Sequence, residues 1–183
     1  MKAITLLHSH KLPLAFYRQV SVCKLAKQLI GKVFVSNFNN TLTTGRIVET
    51  EAYKGITDKA SHAFGGRRTS RTEIMYAAGG VAYVYLCYGI HHLFNVVTNE
   101  KDIPHAILIR ALEPMHGIEH MLNRTRKLKP DHSLTRGPGN VSKAMGIDKH
   151  HTGLSLLEND LFIADDDYLI KPSQIIATPR IGE

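Results

Sequence analysis

The chain has 183 residues, 43% of them hydrophobic, which is enough for one substantial core and predicts a single domain over residues 1–183. Lysines and arginines outnumber acidic residues by 23 to 16, and the net charge of +7 indicates a polyanionic partner more strongly than the charge of an average soluble protein does. A merely basic, soluble protein is the alternative, and charge alone does not choose between the two. No apolar run of about 18 residues occurs, so no membrane association is predicted. Cys23 and Cys87 fit neither a metal site nor a disulfide framework, and we expect a cytoplasmic location.

The first regular elements are a helix and two strands. Apolar residues recur at helical spacing through residues 22–30, behind Ser21 as a capping residue. Residues 32–38 and 41–53 then read as strands joined through Asn39 and Asn40, which tolerate the positive φ of a tight turn.

The second strand predicts an unusually polar face. In an extended chain Glu49, Glu51 and Tyr53 lie on the same side. The side chains that alternate with them, and which we expect to face the core, are Val48, Thr50 and Ala52. A purely structural strand has little reason to carry two carboxylates and a phenol on one face.

Residues 54–72 lose periodicity and form a basic loop. Gly65 and Gly66 would let the backbone approach a ligand closely, and Arg67 and Arg68 suit phosphate oxygens. A solvated loop without a ligand is the alternative. A short helix at 72–76 is expected to follow.

Residues 81–87 and 91–98 predict a β-hairpin with Tyr88 near its tip. An aromatic side chain at such a tip has no core to fill, which suggests an external contact. The residues alone favour the alternative, in which Tyr88 packs back onto its own hairpin.

The second half begins with a strand at residues 106–112, interrupted by Arg110 and expected to end at Pro114. The charge of Arg110 needs a partner, and Glu49 or Glu51 could supply it, in a site or in a purely structural ion pair. Further predicted elements are a helix between Ile118 and Leu128, a helix starting near Pro138, and strands at residues 161–164 and 173–177.

Five ordered segments resemble the alkyladenine (3-methyladenine) DNA glycosylase family, whose best-known members are mammalian. They are RIVETEAY, SHAFGGRRT, YVYLCYG with the Asn95 that follows, ILIRALEP and RGPGNVSKAMGI. The resemblance implies a mixed α/β (α+β) single domain with a curved antiparallel sheet, flanking helices and a protruding hairpin, without metal or cofactor. Members usually continue past a final PRIG motif into another strand, so the C-terminal end of this chain is expected to be short for the family.

The resemblance also implies a function. This chain would be a bacterial, monofunctional DNA glycosylase, acting as a monomer on double-stranded DNA at the nucleoid. It would flip 3-methyladenine, 7-methylguanine, hypoxanthine or ethenoadenine out of the helix, hydrolyse the N-glycosidic bond with water, and so initiate base excision repair.

Two catalytic residues follow from matching the motifs. Glu51 matches the carboxylate that deprotonates the attacking water and faces the cationic character developing on the sugar, both of which suit glycosidic hydrolysis. Arg110 matches an arginine that helps hold the water.

A base pocket is implied by five positions. Tyr53 and His62 match stacking aromatics, Tyr85 matches a further aromatic of the pocket, and backbone groups around Ala60 match contacts to the flipped base. Asn95 matches an asparagine that crowds the exocyclic amino group of normal guanine, so that selectivity comes partly from exclusion.

The remaining implied contacts are with the DNA and the water. Tyr88 matches the residue that enters the minor groove and replaces the extruded nucleotide, which outweighs its packing onto the hairpin. Arg67 and Arg68 are expected to contact phosphates, and Ile181 matches a position whose backbone carbonyl helps fix the water.

Two other classes of function stay open on the sequence. A metal-dependent hydrolase could use the carboxylates and histidines, although His91 and His92 would point to opposite faces of a strand. A non-catalytic DNA-binding protein would need only the basic surface, but it gives no reason for pairing Glu51 with Arg110.

Overall fold

The computed structural model describes residues 7–180. Its strands are β1 (Val33–Phe38), β2 (Thr41–Tyr53), β3 (Val81–Cys87), β4 (His91–Thr98), β5 (His105–His116) and β6 (Leu161–Ala164). The α-helices that lie wholly within the described residues are α1 (Leu14–Tyr17), α2 (Val22–Leu29), α3 (Ile118–Thr125) and α4 (Pro138–Met145). The strands form one antiparallel sheet in the order β3-β4-β5-β2-β1-β6, which confirms the predicted mixed α/β fold class.

The first elements form for the local reasons that the sequence indicates. The Ser21 hydroxyl accepts a hydrogen bond from the backbone N–H of Lys24 and caps α2. Asn39 and Asn40 have φ values of 52° and 59°, the left-handed conformation that a two-residue hairpin turn requires.

The main core lies between one face of the sheet and the helices. It contains the buried stripe of α2, Met121 of α3, buried residues of α4, and inward residues of β3, β4 and β5. A second, smaller cluster covers the opposite face of β3, β4 and β5, where the loop after β2 folds over the sheet. Its buried members are Ala63, Met75, Tyr76, Tyr83, Val97 and Ala106.

The ladder between β2 and β5 is irregular near its centre. Ile47 pairs with Leu112 and Thr50 pairs with Ile109, but the register shifts on both sides of Glu49. The irregularity leaves Val48 48% exposed, so the prediction that this residue faces the core is wrong. Thr50 does face α2, because its hydroxyl donates to the carbonyl of Ala26 over 3.0 Å.

Three predicted boundaries differ from the structure. β5 continues through Pro114 to His116, because β4 pairs with it only as far as Leu108 and a missing N–H is tolerated on an unpaired edge. α3 ends at Thr125, where Arg126 adopts a φ of 59°. No strand forms at residues 173–177, since Pro172–Gln174 is a 3-10 turn.

The helices can be compared with the length and apolar character that a membrane span requires. Between residues 7 and 180, no helix has both the length and the apolar character needed to cross a bilayer.

Candidate active site

One row of paired residues crosses the sheet and forms the floor of the site. Tyr83 on β3 pairs with Asn95 on β4, Asn95 pairs with Leu108 on β5, and Leu108 pairs with Glu51 on β2. Directly paired residues share a face. The ladder therefore holds a carboxylate, an amide and a phenol on rigid strands, on the face opposite the main core.

Glu51 is 8% exposed and both of its oxygens are held. The Tyr53 hydroxyl donates to Oε1 over 2.5 Å, and Nη1 of Arg110 donates to Oε2 over 2.8 Å. Burial, then the hydrogen bond to Glu51, raises the pKa of Tyr53, so this phenol is a stable donor at neutral pH.

Arg110 bridges the two carboxylates of β2. Its Nε donates to Oε1 of Glu49 over 3.0 Å while its Nη1 binds Glu51. Both partners that the sequence offered for Arg110 are therefore used.

An aromatic pocket adjoins Glu51 on the same face of the sheet. It is lined by Tyr53, Ala60, Ser61, His62, Met75, Tyr83, Tyr85, Asn95 and Ala106. The structure thus brings together all five residues predicted for a base pocket, although their roles remain predictions. An adjoining groove is bordered by Glu49, Glu51 and Arg110. Tyr53 lines the pocket and donates to Glu51 in the groove, so it connects the two spaces.

His62 is fixed at the pocket by tyrosines. Its Nδ1 lies 2.8 Å from the Tyr83 hydroxyl, and its ring meets the Tyr85 ring edge-on with centroids 4.6 Å apart. Burial, followed by repulsion from Arg71 and Arg67, lowers the pKa of His62 below its usual value. The imidazole is therefore neutral at physiological pH.

Asn95 is a fixed amide in the pocket floor. It is 2% exposed, and its Nδ2 donates to the carbonyls of Tyr83 and Leu93, each over 3.2 Å. Since these bonds occupy the donor end of the amide, its carbonyl oxygen is the polar atom that a ligand would meet.

The hairpin of β3 and β4 projects Tyr88 into solvent. Its last pair joins Cys87 to His91, and Tyr88 adopts a φ of 50° at the tip with 92% of its surface exposed. The tyrosine does not fold back onto its hairpin, so the packing alternative is wrong.

The two loop arginines have different surroundings. Arg67 is exposed, and its backbone carbonyl accepts bonds from the hydroxyls of Thr72 and Tyr76. The Arg68 guanidinium instead binds Glu73 and Asp102, over 2.7 Å and 2.8 Å. A phosphate would have to compete with these carboxylates at Arg68. Ile181, predicted to help fix the water through its backbone carbonyl, lies outside the described residues.

Comparison with known proteins decides the family. The profile described as Methylpurine-DNA glycosylase (MPG) matches residues 15–182. Proteins named "Putative 3-methyladenine DNA glycosylase" from Clostridium perfringens (strain 13 / Type A) and Bacillus mycoides (strain KBAB4) are 42% and 45% identical, over 91% and 93% of this chain and 85% and 87% of their own lengths. A relative of the same name from Chlamydia pneumoniae is 45% identical over 91% of this chain and 84% of its own length. The chain belongs to the methylpurine-DNA glycosylase family.

Two residues of this glycosylase site were missed by the sequence reading. Tyr83 anchors His62, and Arg71 lies over the Tyr85 ring with its Cζ 5.2 Å from the centroid. Tyr83 had a signal, because it alternates with Tyr85 and so shares its face of β3. Arg71 had none, since its place depends on how the loop folds.

A metal-dependent hydrolase would require a cluster of metal-ligating side chains. Within residues 7–180 of this family member, no three His, Cys, Asp or Glu side chains converge as a metal site would require. Glu49 and Glu51 are instead engaged with Arg110.

Proposed function

We propose that this chain is a monofunctional DNA glycosylase that flips damaged purines out of duplex DNA and hydrolyses their N-glycosidic bond with a water activated by Glu51. The observation that carries the proposal is the buried Glu51 carboxylate, held between Tyr53 and Arg110 beside an aromatic pocket. Membership of the methylpurine-DNA glycosylase family supports the same class of reaction.

The chemistry at Glu51 follows from the bond that breaks. Departure of the base leaves an oxocarbenium-like sugar, which an ionised carboxylate stabilises, and water needs a base to attack it at neutral pH. Each carboxylate oxygen can accept a second hydrogen bond beyond those from Tyr53 and Arg110, so Glu51 retains acceptor capacity for water. Arg110 fixes the carboxylate, which faces the developing cation.

The side chains around the pocket have the chemistry that a planar purine requires. Tyr53, His62 and Tyr85 offer aromatic surfaces for stacking, which the fixed His62–Tyr85 contact keeps in place. The Asn95 amide cannot turn without losing its two backbone partners, so it would crowd the exocyclic 2-amino group of normal guanine and disfavour that base. The amino group is absent from 3-methyladenine, hypoxanthine and ethenoadenine, whereas 7-methylguanine carries it and leaves readily because its ring is positively charged. Proposed substrates are 3-methyladenine, 7-methylguanine, hypoxanthine and ethenoadenine.

DNA binding needs a wedge and a cationic surface. Tyr88 would enter the minor groove and fill the space that the flipped nucleotide vacates, which explains a nearly fully exposed aromatic at a hairpin tip. Arg67 and the net charge of +7 would attract the phosphate backbone, with Arg68 as a weaker contributor because of its carboxylate partners.

Four duplexes, each carrying one of the proposed lesions, test the function. We expect release of the free base and formation of alkali-labile abasic sites without direct strand cleavage, unchanged by a strong chelator. No base release from any duplex would contradict the proposal and leave a DNA-binding protein. Release that the chelator abolishes and added metal restores would instead support the metal-dependent hydrolase.

A further inference from the structure

The C-terminal segment, residues 165–180, is tied to the body of the protein at both ends by ion pairs. Near its start, Asp166 accepts two bonds from Arg46, over 2.9 Å and 2.8 Å. At its end, Arg180 donates to both oxygens of Asp58, over 2.5 Å and 2.7 Å. Each pair has the two-pronged geometry that makes an arginine-carboxylate contact strong and specific.

The pair at the end of the segment also contacts the pocket wall. Arg180 donates from Nη1 to the carbonyl of Ala52 over 3.1 Å, and its Cζ lies 5.0 Å from the centroid of the Tyr53 ring. At that distance the cation is attracted to the face of the ring. Arg180 therefore contacts the residue that both lines the pocket and holds Glu51.

Asp58 connects the same pair to another part of the pocket. Besides binding Arg180, its carboxylate accepts from the backbone N–H of Lys54 over 2.9 Å and of Ala60 over 3.1 Å. The Asp58 side chain is 9% exposed and that of Arg180 is 20% exposed. Burial alone would raise the pKa of Asp58, but the bonds from Arg180, Lys54 and Ala60 lower it below its usual value.

We propose that Asp58 and Arg180 are positioning residues, which hold the Tyr53 ring and the Ala60 backbone in the arrangement that the flipped base and Glu51 require. The inference rests on the proposed glycosylase function. Arg180 borders the groove next to Glu51 and is not among the pocket-lining residues, so it acts through Tyr53. Because Tyr53 donates to Glu51, a change in ring orientation would alter a wall of the pocket and the setting of the carboxylate together.

Anchoring of the C-terminal segment is the competing explanation, and the chain contains a matched control for it. Arg46 repeats the Arg180 arrangement, with two bonds to Asp166, one to the Gly31 carbonyl, and a Cζ 4.0 Å from the Tyr168 ring centroid. Arg46 borders neither the pocket nor the adjoining groove. Loss of either arginine removes an anchor, but only loss of Arg180 releases Tyr53.

The experiment compares Arg180→Gln with Arg46→Gln in three measurements: thermal unfolding, affinity for undamaged duplex, and single-turnover release of hypoxanthine. We expect similar losses of thermal stability and unchanged affinity for undamaged DNA in both variants. The excision rate should fall about 10- to 100-fold in Arg180→Gln alone, since small misplacements of catalytic groups have effects of this size. An equal fall in both variants would establish anchoring only and overturn the proposal. A fall in affinity for undamaged DNA parallel to the fall in rate would also overturn it, by indicating a phosphate contact.

A second readout does not depend on activity. In protein labelled at the tyrosine rings, the Tyr53 signal, assigned with Tyr53→Phe, should shift in Arg180→Gln and stay in place in Arg46→Gln. An unmoved Tyr53 signal in Arg180→Gln would overturn the positioning role. If the unmodified protein releases no base, the proposed function fails, while this measurement still decides the positioning of Tyr53.

Discussion

The Tyr53 hydroxyl donates a 2.5 Å hydrogen bond to Oε1 of Glu51, two residues earlier on the same strand. Because alternate residues of β2 share a face, this bond joins a pocket wall to the carboxylate beside it. Arg110 holds the other oxygen. The carboxylate is thus positioned from two strands, β2 and β5, before any substrate binds.

The hydrogen bond from Tyr53 to Glu51 predicts slower excision by Tyr53→Phe, which keeps the ring and removes the hydroxyl. A hydrogen bond to a charged group contributes roughly 1.5–3 kcal/mol, so the single-turnover excision rate should fall by about tenfold or more while lesion affinity changes little. Tyr17→Phe is the control, because the buried Tyr17 hydroxyl has no hydrogen-bond partner in the described part of the chain. A wild-type rate in Tyr53→Phe would show that this bond is not needed.

The lowered pKa of His62 predicts a pH dependence of stability. Below about pH 6.5 the imidazole of the unfolded chain takes up a proton, whereas His62 in the folded protein resists protonation until a lower pH. The free energy of unfolding should therefore fall, relative to that of His62→Gln, as the pH decreases through this window. Urea denaturation of both proteins above and below it measures the difference, and a difference independent of pH would contradict the buried, neutral imidazole.

Local sequence patterns were sufficient to find β1 to β6 and the polar face of β2, although they misplaced the end of β5 and added a strand at residues 173–177 that does not form. The turn at Asn39 and Asn40 also followed from backbone preference alone. The irregularity opposite Arg110 could not be predicted, because it depends on how β2 and β5 align across about 60 intervening residues. Arg110, which the shifted register leaves without a partner residue in the ladder, binds both carboxylates.

Loop contacts were beyond sequence reasoning for a related reason. Residues 54–72 have no periodicity, so neither the bond of Asp58 to Arg180 nor the place of Arg71 had a local signal. Only the resemblance to a family brought His62 and Asn95 into one pocket, because the residues themselves are common in cores and on surfaces.

The fixed amide of Asn95 predicts a change of selectivity. Asn95→Ser should release undamaged guanine at a rate above the wild-type background, because the side chain that crowds the amino group becomes shorter. The free energy of unfolding should also fall by about 1–3 kcal/mol, because the carbonyls of Tyr83 and Leu93 lose the hydrogen bonds that Asn95 donates. Asn99→Ser is the control, since Asn99 is equally buried but bonds to Val20 and His105 outside the pocket. Unchanged discrimination against guanine in Asn95→Ser would contradict the exclusion role.

Exposure of Tyr88 predicts that Tyr88→Ser affects DNA binding and not folding. Stacking of a base on an aromatic side chain contributes roughly 1–3 kcal/mol, so affinity for a lesion-containing duplex should fall about 5- to 150-fold. Thermal stability should be unchanged because the side chain has almost no contacts to lose. Leu169→Ser, at a 90% exposed apolar residue outside the hairpin, is the control. Undiminished affinity in Tyr88→Ser would rule out the wedge.

The central claim is that Glu51 activates the water, and Glu51→Gln tests it most directly. Glutamine preserves the shape and an oxygen acceptor for Tyr53 but cannot take a proton. Glu49→Gln is the matched control, because Glu49 binds the same Arg110 from a 44% exposed position. In single-turnover release of hypoxanthine from a duplex, we predict a fall of about 10²- to 10⁴-fold for Glu51→Gln with lesion binding retained, and a much smaller fall for Glu49→Gln. Excision by Glu51→Gln at the wild-type rate would contradict the account.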